Sequence, residues 1–219
     1  MIEVGTAHLA TDGRPLGRRG TETRDRILRS IERLVEENGL RGLRLADIAQ
    51  EVGFSTPAFY QYFDDIDGAV LALNEEIGPI SEGLNEALAT DWTGDQALHT
   101  IEQFVGAYLE HWDRHRAVLR ARNIAAQDGN ERWAAIRKQD LLPVKNALAR
   151  KVAAAQAAGH LAGSVAPTAV AAILVTLLDS VAMYGPHDTA LGVDRRELAR
   201  SVTLLLAAVA GNGAAAEGD

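Results

Sequence analysis

Residues 45–63, with the sequence LADIAQEVGFSTPAFYQYF, decide the fold of the chain. In the first half, apolar residues recur at i, i+3, i+4 and i+7, which predicts a short helix with one buried face: Leu45, Ile48, Ala49 and Val52. Gly53 comes next, where a chain leaving a helix often needs a positive φ. Ser55 is then placed to cap a second helix, with Pro57 in its first turn.

The second helix, predicted over residues 55–62, is expected to bury Phe59 and the following Phe63, which lie four residues apart. It leaves six residues less committed to the core: Thr56, Pro57, Ala58, Tyr60, Gln61 and Tyr62. Two short helices joined by a glycine turn form the helix-turn-helix pattern. Because the DNA major groove is about 12 Å wide and admits one α-helix, the pattern predicts that the second helix reads DNA bases.

The same residues resemble the DNA-binding signature of the TetR family of transcriptional regulators. The resemblance extends over residues 23–71 and rests on three groups: Asp47-Ile48-Ala49, Val52-Gly53-Phe54-Ser55 and Tyr60-Gln61-Tyr62-Phe63. It implies an all-α chain of about nine helices. A three-helix head at residues 21–64 would bind a double-stranded operator, and a bundle at residues 65–211 would bind a ligand and dimerise.

Composition and charge agree with such a protein. The chain of 219 residues has no Cys, so it offers neither disulfides nor thiolate metal sites, and it carries a net charge of -8. Residues 14–62 hold nine Arg and seven acidic residues, which leaves 23 of the 30 acidic residues elsewhere. DNA affinity depends on such local cations. We find neither a signal peptide nor an uninterrupted membrane span, and we expect a cytoplasmic protein.

Residues 1–20 show no periodicity and are expected to form a flexible arm. Arg14, Arg18 and Arg19 give this arm two alternative roles, as a contact to DNA phosphates or the minor groove, or as a solubilising tail. The Gly- and Ala-rich residues 212–219 are expected to be a disordered tail.

The first helix is expected to be capped by Thr21 or Thr23 and to end at Gly39. In the TetR family the start of this helix approaches the DNA backbone, so the resemblance makes Thr23 and Arg24 candidate phosphate contacts. In the recognition helix, Thr56 and Gln61 offer hydrogen bonds, and Pro57 and Tyr60 offer apolar and edge contacts to bases. The resemblance assigns DNA contact to the whole face: Ser55, Thr56, Pro57, Ala58, Tyr60, Gln61 and Tyr62.

Two positions depart from the family pattern. Arg44 stands where relatives usually have a capping Ser or Thr, so the side-chain cap is lost or shifted, although a guanidinium could still reach a phosphate, as could Tyr62. Ile66 stands where the family usually has a phosphate-binding Lys, and it is flanked by three carboxylates: Asp64, Asp65 and Asp67. These changes imply weaker backbone anchoring, or a docking that relies on the Arg-rich arm.

The remaining chain is predicted to be helical throughout. Expected helices run from residue 65 with a break at Gly78-Pro79, then from residue 93, over 117–127, over 130–158, over 166–184 and over 194–210. The last two carry more apolar surface than one intramolecular contact needs. In the family they pair with those of a second subunit, which implies a homodimer; the alternative is a monomer that packs them on its own body.

Large side chains in these helices are usually core residues, but TetR-like bodies also carry an effector pocket. The resemblance implies such a pocket, and candidate lining residues are Leu84, Leu88, Phe104, Tyr108, Leu119, Trp133 and Leu141. The few charges on those faces indicate a small hydrophobic effector, acyl or aromatic. The alternative function is an all-α small-molecule-binding protein or enzyme whose helix-turn-helix is only structural.

We find no catalytic motif and predict neither catalytic residues nor a cofactor. His111 and His115 are spaced i, i+4 and could share a metal, but no third ligand has convincing spacing, so we interpret them as solvated histidines. The hypothesis is therefore a ligand-responsive repressor that binds a pseudo-palindromic operator as a dimer and leaves it when the effector binds.

Overall fold

The computed structural model describes residues 9–77, 82–184 and 192–211. Across these ranges it contains ten α-helices, a short 3-10 turn (Leu40–Gly42) and no strand other than an isolated bridge between Leu9 and Pro15. The all-α prediction is confirmed, with ten helices where about nine were expected. In the described part of the chain, no helix has the length and hydropathy needed to cross a membrane.

The first compact unit, here called the head, contains α1 (Arg18–Asn38), α2 (Leu45–Val52), α3 (Thr56–Phe59) and α4 (Ile66–Ile77). Residues 117–124 of α7 (Arg116–Gln127) also belong to it. The predicted boundary after residue 64 is therefore too early. It is wrong because α4 packs on α1 and buries Ala69, Val70 and Leu73.

The apolar stripe of α1 forms the centre of the head core, where Ile27 and Ile31 are fully buried. Ile48 from α2 and Phe59 from α3 are also fully buried, so the face predicted for residues 45–63 is the one that packs. The helix begins at Arg18, and the prediction of a cap at Thr21 or Thr23 is wrong. Thr23 lies within α1, where its hydroxyl donates to the Arg19 carbonyl at 2.9 Å.

The second unit, here called the body, contains α5 (Glu82–Ala89), α6 (Ala97–Arg114), α8 (Glu131–Ala157), α9 (Pro167–Met183) and α10 (Arg195–Val209). Helix α8 packs on α9, and α6 packs on α5, α9 and α10. Asn130 caps α8 by accepting the Trp133 N–H at 3.2 Å, and Asp194 caps α10 by accepting the Arg196 N–H at 2.6 Å. Helix α6 begins later than the predicted residue 93, because Gly94 adopts a positive φ of 73°.

Three predictions fall outside the described residues. The break at Gly78-Pro79, the tail at residues 212–219 and the first eight residues of the predicted arm belong to this group.

Candidate nucleic-acid interface

The turn between α2 and α3 has the geometry that its sequence predicts. Gly53 lies in the left-handed region, with φ 77° and ψ 44°, and its N–H donates to the Ala49 carbonyl at 3.0 Å. The Phe54 N–H donates to the same carbonyl at 3.1 Å. This pairing ends α2 and turns the chain toward α3 within two residues.

Helix α3 is shorter than predicted. It covers Thr56–Phe59, and the prediction that it continues to Tyr62 is wrong. Beyond Phe59 the chain continues as a tight turn, because the Gln61 N–H donates three residues back to Ala58 at 3.3 Å and the Tyr62 N–H donates to Phe59 at 2.9 Å. Ser55 occupies the N-cap position with extended φ and ψ, but its side chain makes no capping hydrogen bond.

Residues 55–62, here called the reading segment, present a mixed polar and aromatic surface. Five of the predicted contact residues are exposed: Ser55, Thr56, Pro57, Tyr60 and Gln61. Ala58 and Tyr62 are half-buried. Tyr60 is 52% exposed, and its ring meets Phe59 edge-on with 5.8 Å between ring centroids. A buried Phe therefore supports the most exposed aromatic ring of the head.

Contacts between α1 and α2 hold the first helix of the motif in place. Glu51 of α2 accepts from Ser30 at 2.8 Å and from Nε of Arg33 at 2.8 Å. The Arg33 guanidinium holds the pKa of the Glu51 carboxyl below its usual value. Arg26 adds a hydrogen bond to the Val52 carbonyl. As a result, three side chains of α1 fix both α2 and its last carbonyl.

Arg24 does not have the position expected of a phosphate contact. It is 8% exposed, its guanidinium is paired with Glu76 of α4, and it lies 5.4 Å from the centroid of the Phe63 ring. These interactions occupy the cation within the head and argue against a DNA contact by Arg24, whose assignment stays a prediction. Arg44, in contrast, is exposed at the N-cap position of α2 and makes no capping hydrogen bond, as predicted.

Part of the predicted flexible arm is folded onto the reading segment. The Thr11 hydroxyl donates to the Tyr60 carbonyl at 2.8 Å, and the Thr11 N–H donates to the Gln61 carbonyl at 3.2 Å. The prediction of a flexible arm is thus wrong for residues 9–20, because residues 9–17 include this folded segment and residues 18–20 begin α1. The overlooked signal is the turn sequence Thr11-Asp12-Gly13, which the surrounding lack of periodicity obscured.

The start of α4 is acidic, as the sequence indicates. Asp65 accepts the Gly68 N–H through Oδ1 at 2.5 Å, and Ile66 is half-buried. A cleft of about 370 Å³ lies beside the reading segment and is lined by Leu45, Phe59, Tyr60, Asp65, Ile66 and Asp67. The position that carries Lys in relatives is therefore part of an apolar and acidic cleft.

The predicted ligand residues are divided between the two units. Leu84, Phe104, Tyr108 and Trp133 are buried in the body, Leu88 lines a cavity, Leu141 is half-buried, and Leu119 is buried in the head. That cavity has a volume of about 320 Å³ and is lined mainly by residues 89–93, which include Trp92, and by α8. Leu119 therefore belongs to a different unit from the other candidates.

A buried polar cluster lies next to these residues in the body. The Tyr108 hydroxyl donates to Oδ1 of Asp179 at 2.5 Å, and Arg137 donates to Oδ2 at 2.5 Å. Asp179 is 3% exposed, and each of its carboxylate oxygens accepts a hydrogen bond, as a buried polar group requires. The ring of Phe104 packs between Trp92 and Tyr108, with centroid distances of 5.2 and 6.3 Å.

His111, near the end of α6, and His115, the residue after the helix, lie with 5.3 Å between their ring centroids. Burial lowers the pKa of His115, and the nearby Arg114 adds to this effect. Within residues 9–77, 82–184 and 192–211, no group of three or more metal-ligating side chains occurs.

A helix-turn-helix head followed by a separate helical body defines a class of transcriptional regulators. Residues 27–73 match the family model for bacterial regulatory proteins of the tetR family, and residues 84–215 match that for the Tetracyclin repressor-like C-terminal domain. Because the second match alone covers more than half of the chain, the chain belongs to the TetR family of transcriptional regulators.

Individual proteins show the same similarity. The HTH-type transcriptional regulator EthR of Mycobacterium tuberculosis is 27% identical over 112 residues, which cover 49% of this chain and 52% of EthR. The match thus spans about half the length of this curated relative. Among solved structures, the fatty acid degradation regulator FadR from Bacillus halodurans has a TM-score of 0.64 at 16% identity and covers 89% of this chain and 97% of its own.

A TetR-family structure from Rhodococcus sp. has a TM-score of 0.61 at 21% identity, with 87% of this chain and 99% of that chain covered. At these identities, both structures indicate a shared fold.

Proposed function

We propose that the protein is a repressor that binds a pseudo-palindromic operator as a homodimer, with the reading segment of each subunit in the major groove. The observation that carries this proposal is the exposed face of residues 55–61, which no packing requirement explains. Thr56 and Gln61 supply hydrogen-bonding groups for base edges, and Tyr60 supplies an apolar surface for a thymine methyl group.

The charge of the head supports this mode of binding. In the described part of the chain, the guanidiniums of Arg19 and Arg44 are exposed and make no hydrogen bond or ion pair. Arg18 is 92% exposed and is paired only with Glu22, an exposed pair that contributes little to stability. These cations are available to replace the counterions of DNA phosphates.

Two helices of the body support a dimer. The exposed face of α9 contains Ala169, Ala172, Ile173, Thr176 and Ser180, and that of α10 contains Ser201, Leu204, Leu205 and Ala208. Both sets of residues follow the i, i+3, i+4, i+7 spacing and are uncharged; the exposed charged residues of α10, Arg196, Glu197 and Arg200, lie in its first two turns. Ile173 is 68% exposed and Leu205 is 52% exposed.

The hydroxyls on these faces are already bonded. Those of Thr176, Ser180 and Ser201 each donate to the carbonyl four residues earlier, at 2.9, 2.8 and 2.7 Å. They can therefore be covered by a second subunit without leaving a buried donor unpaired. We propose that α9 and α10 form a four-helix interface with their counterparts.

We further propose that a small hydrophobic effector binds the body and releases the operator. The aromatic cluster around Phe104 and Tyr108 and the cavity beside Trp92 offer apolar surface for such a molecule. An effector that binds more tightly to a body shape with the wrong head spacing shifts the population away from the DNA-binding form.

Removal of the exposed aromatic ring tests the central assignment. We expect Tyr60→Ala to weaken binding to DNA from beside the protein's own gene by about tenfold or more, because one good base contact contributes about 1–3 kcal/mol. A mobility-shift titration at fixed salt measures this loss. Leu142→Ala on α8, which removes a side chain that is 41% exposed, serves as the control and should bind normally. Unchanged binding by Tyr60→Ala contradicts the role of the reading segment.

A further inference from the structure

At its end, the reading segment has too few backbone N–H donors for its own carbonyls. Carbonyls of Ser55, Ala58 and Phe59 accept from the N–H groups of Ala58, Gln61, Tyr62 and Phe63. The next two carbonyls, those of Tyr60 and Gln61, receive no N–H donor from the reading segment itself. The last carbonyls of any helical segment are left in this way. The carbonyls of Tyr60 and Gln61 belong to the two residues that offer the most side-chain contact with bases.

Both carbonyls receive a donor from a single residue near the N-terminus. The hydroxyl of Thr11 bonds to Tyr60 and the N–H of Thr11 bonds to Gln61, at 2.8 and 3.2 Å. Side chain and backbone of one residue therefore pair with two consecutive carbonyls, across 49 residues of sequence in the case of Tyr60. Residues 9–15 are here called the N-terminal turn.

The N-terminal turn has its own internal order. The Ala10 N–H donates to the Arg14 carbonyl at 2.8 Å, and the Gly13 N–H donates to the Ala10 carbonyl at 2.9 Å. Gly13 has a φ of 79°, and Asp12 accepts from both the N–H and the guanidinium of Arg14. A turn closed in this way holds Thr11 in a defined position before any DNA arrives.

We infer that Thr11 is a positioning residue for sequence recognition: through the N-terminal turn it holds Tyr60 and Gln61 in the orientation that reads the operator. This inference rests on the proposed function of the reading segment. A four-residue helix followed by a turn has few bonds of its own, so an external pair of donors fixes its end. Thr11 acts here on the bases only through the two residues that it holds.

Thr11→Val tests the inference, because it removes the hydroxyl and keeps the branched shape and the backbone N–H. We expect a loss of operator affinity of about two- to tenfold, the range for one lost hydrogen bond, while affinity for an unrelated duplex stays unchanged. The separate variant Thr11→Ser keeps the hydroxyl and should bind the operator with wild-type affinity. Fluorescence anisotropy with both duplexes at one salt concentration gives these values, and thermal unfolding checks that the variants are folded.

A second variant changes the N-terminal turn and leaves every residue of the reading segment unchanged. Gly13→Ala places a Cβ at a positive φ where no atom lies within 4 Å, so it strains the turn without a steric clash. We expect it to lower operator affinity in the same selective way as Thr11→Val. Equal weakening on both duplexes by either variant would mean general electrostatic contact by the turn and would overturn the inference.

A double-mutant cycle separates positioning from direct contact. If Thr11 acts through Tyr60, the combined loss in Thr11→Val, Tyr60→Ala is smaller than the product of the single losses. Losses that multiply, or normal operator binding by Thr11→Val, overturn the inference. Normal binding by Tyr60→Ala would instead overturn the proposed function, so the two failures can be told apart.

Discussion

Gly53 determines how α2 leads into α3. Its φ of 77° belongs to the left-handed region, which costs other L-residues energy because their Cβ approaches the following carbonyl. No atom lies within 4 Å of the position that a Cβ would take. The requirement for glycine at this site is therefore a property of the backbone and not of the surrounding packing.

Gly53→Ala should lower the free energy of unfolding of the head by about 1–2 kcal/mol through this strain alone. Gly53→Asn should cost less, because Asn visits the left-handed region more readily. Urea denaturation followed by far-UV circular dichroism gives both values. If Ala and Asn destabilise equally, or neither does, then φ at residue 53 does not limit stability.

Arg24 shows where the sequence could not reveal a role. Its place at the start of a helix that approaches DNA in the family was visible, but its partner Glu76 lies 52 residues later and on another helix. The same limit applies to Thr11, whose acceptors are in the reading segment. Gly53, Phe59 and Phe63 were predictable, because local periodicity and turn chemistry decide their positions.

Among the elements, α9 and α10 expose apolar residues that no described part of the chain covers. Their buried faces pack on α8 and α6. The exposed charges of α10 are confined to its first two turns, and six exposed residues of the two helices are apolar: Ala169, Ala172, Ile173, Leu204, Leu205 and Ala208. The sequence predicted both helices, since long apolar segments between clear caps are the strongest local signal. It could not fix the ends of α3 and α6, which depend on turn geometry around Tyr60 and Gly94.

A charge placed on each of these two helices should prevent dimer formation. We expect Ile173→Lys, Leu205→Lys to sediment as a monomer, because a covered interface cannot pair the new ammonium groups. Leu142→Lys on α8 is the control and should keep the wild-type state. Sedimentation velocity at several protein concentrations measures the change. A double variant that remains dimeric contradicts the assignment of this surface.

At the scale of the whole molecule, the proposed function requires two heads at a fixed separation. In the proposed dimer, each head covers one half-site, and half-sites lie about 34–36 Å apart or a multiple of that distance. The body holds 16 Asp and Glu against 11 Lys and Arg, and in the proposed dimer this negative charge repels DNA at other positions. Affinity therefore depends on the spacing between the heads as well as on the contacts that each head makes.

Insertion of five base pairs between the half-sites should reduce operator affinity to the level of an unrelated duplex. Five base pairs rotate one half-site by about half a turn, so the second head faces the wrong side of the helix. The same five base pairs inserted outside the palindrome should have no effect. A mobility shift with the three duplexes tests this; retained affinity for the spaced palindrome would mean that each head binds independently.

The hydrogen bonds from Thr11 to Tyr60 and Gln61 also determine which segment can be transplanted into another regulator. A chimera that receives only residues 45–63 would carry the base-reading side chains and lack the two donors for their carbonyls. An exchange designed on this structure takes residues 9–77 together with residues 117–124, the other part of the head, so that α1, Glu76 and the N-terminal turn move together. The unit that has to be transferred for sequence specificity is then the folded head, which extends well beyond the helix-turn-helix motif at residues 45–63.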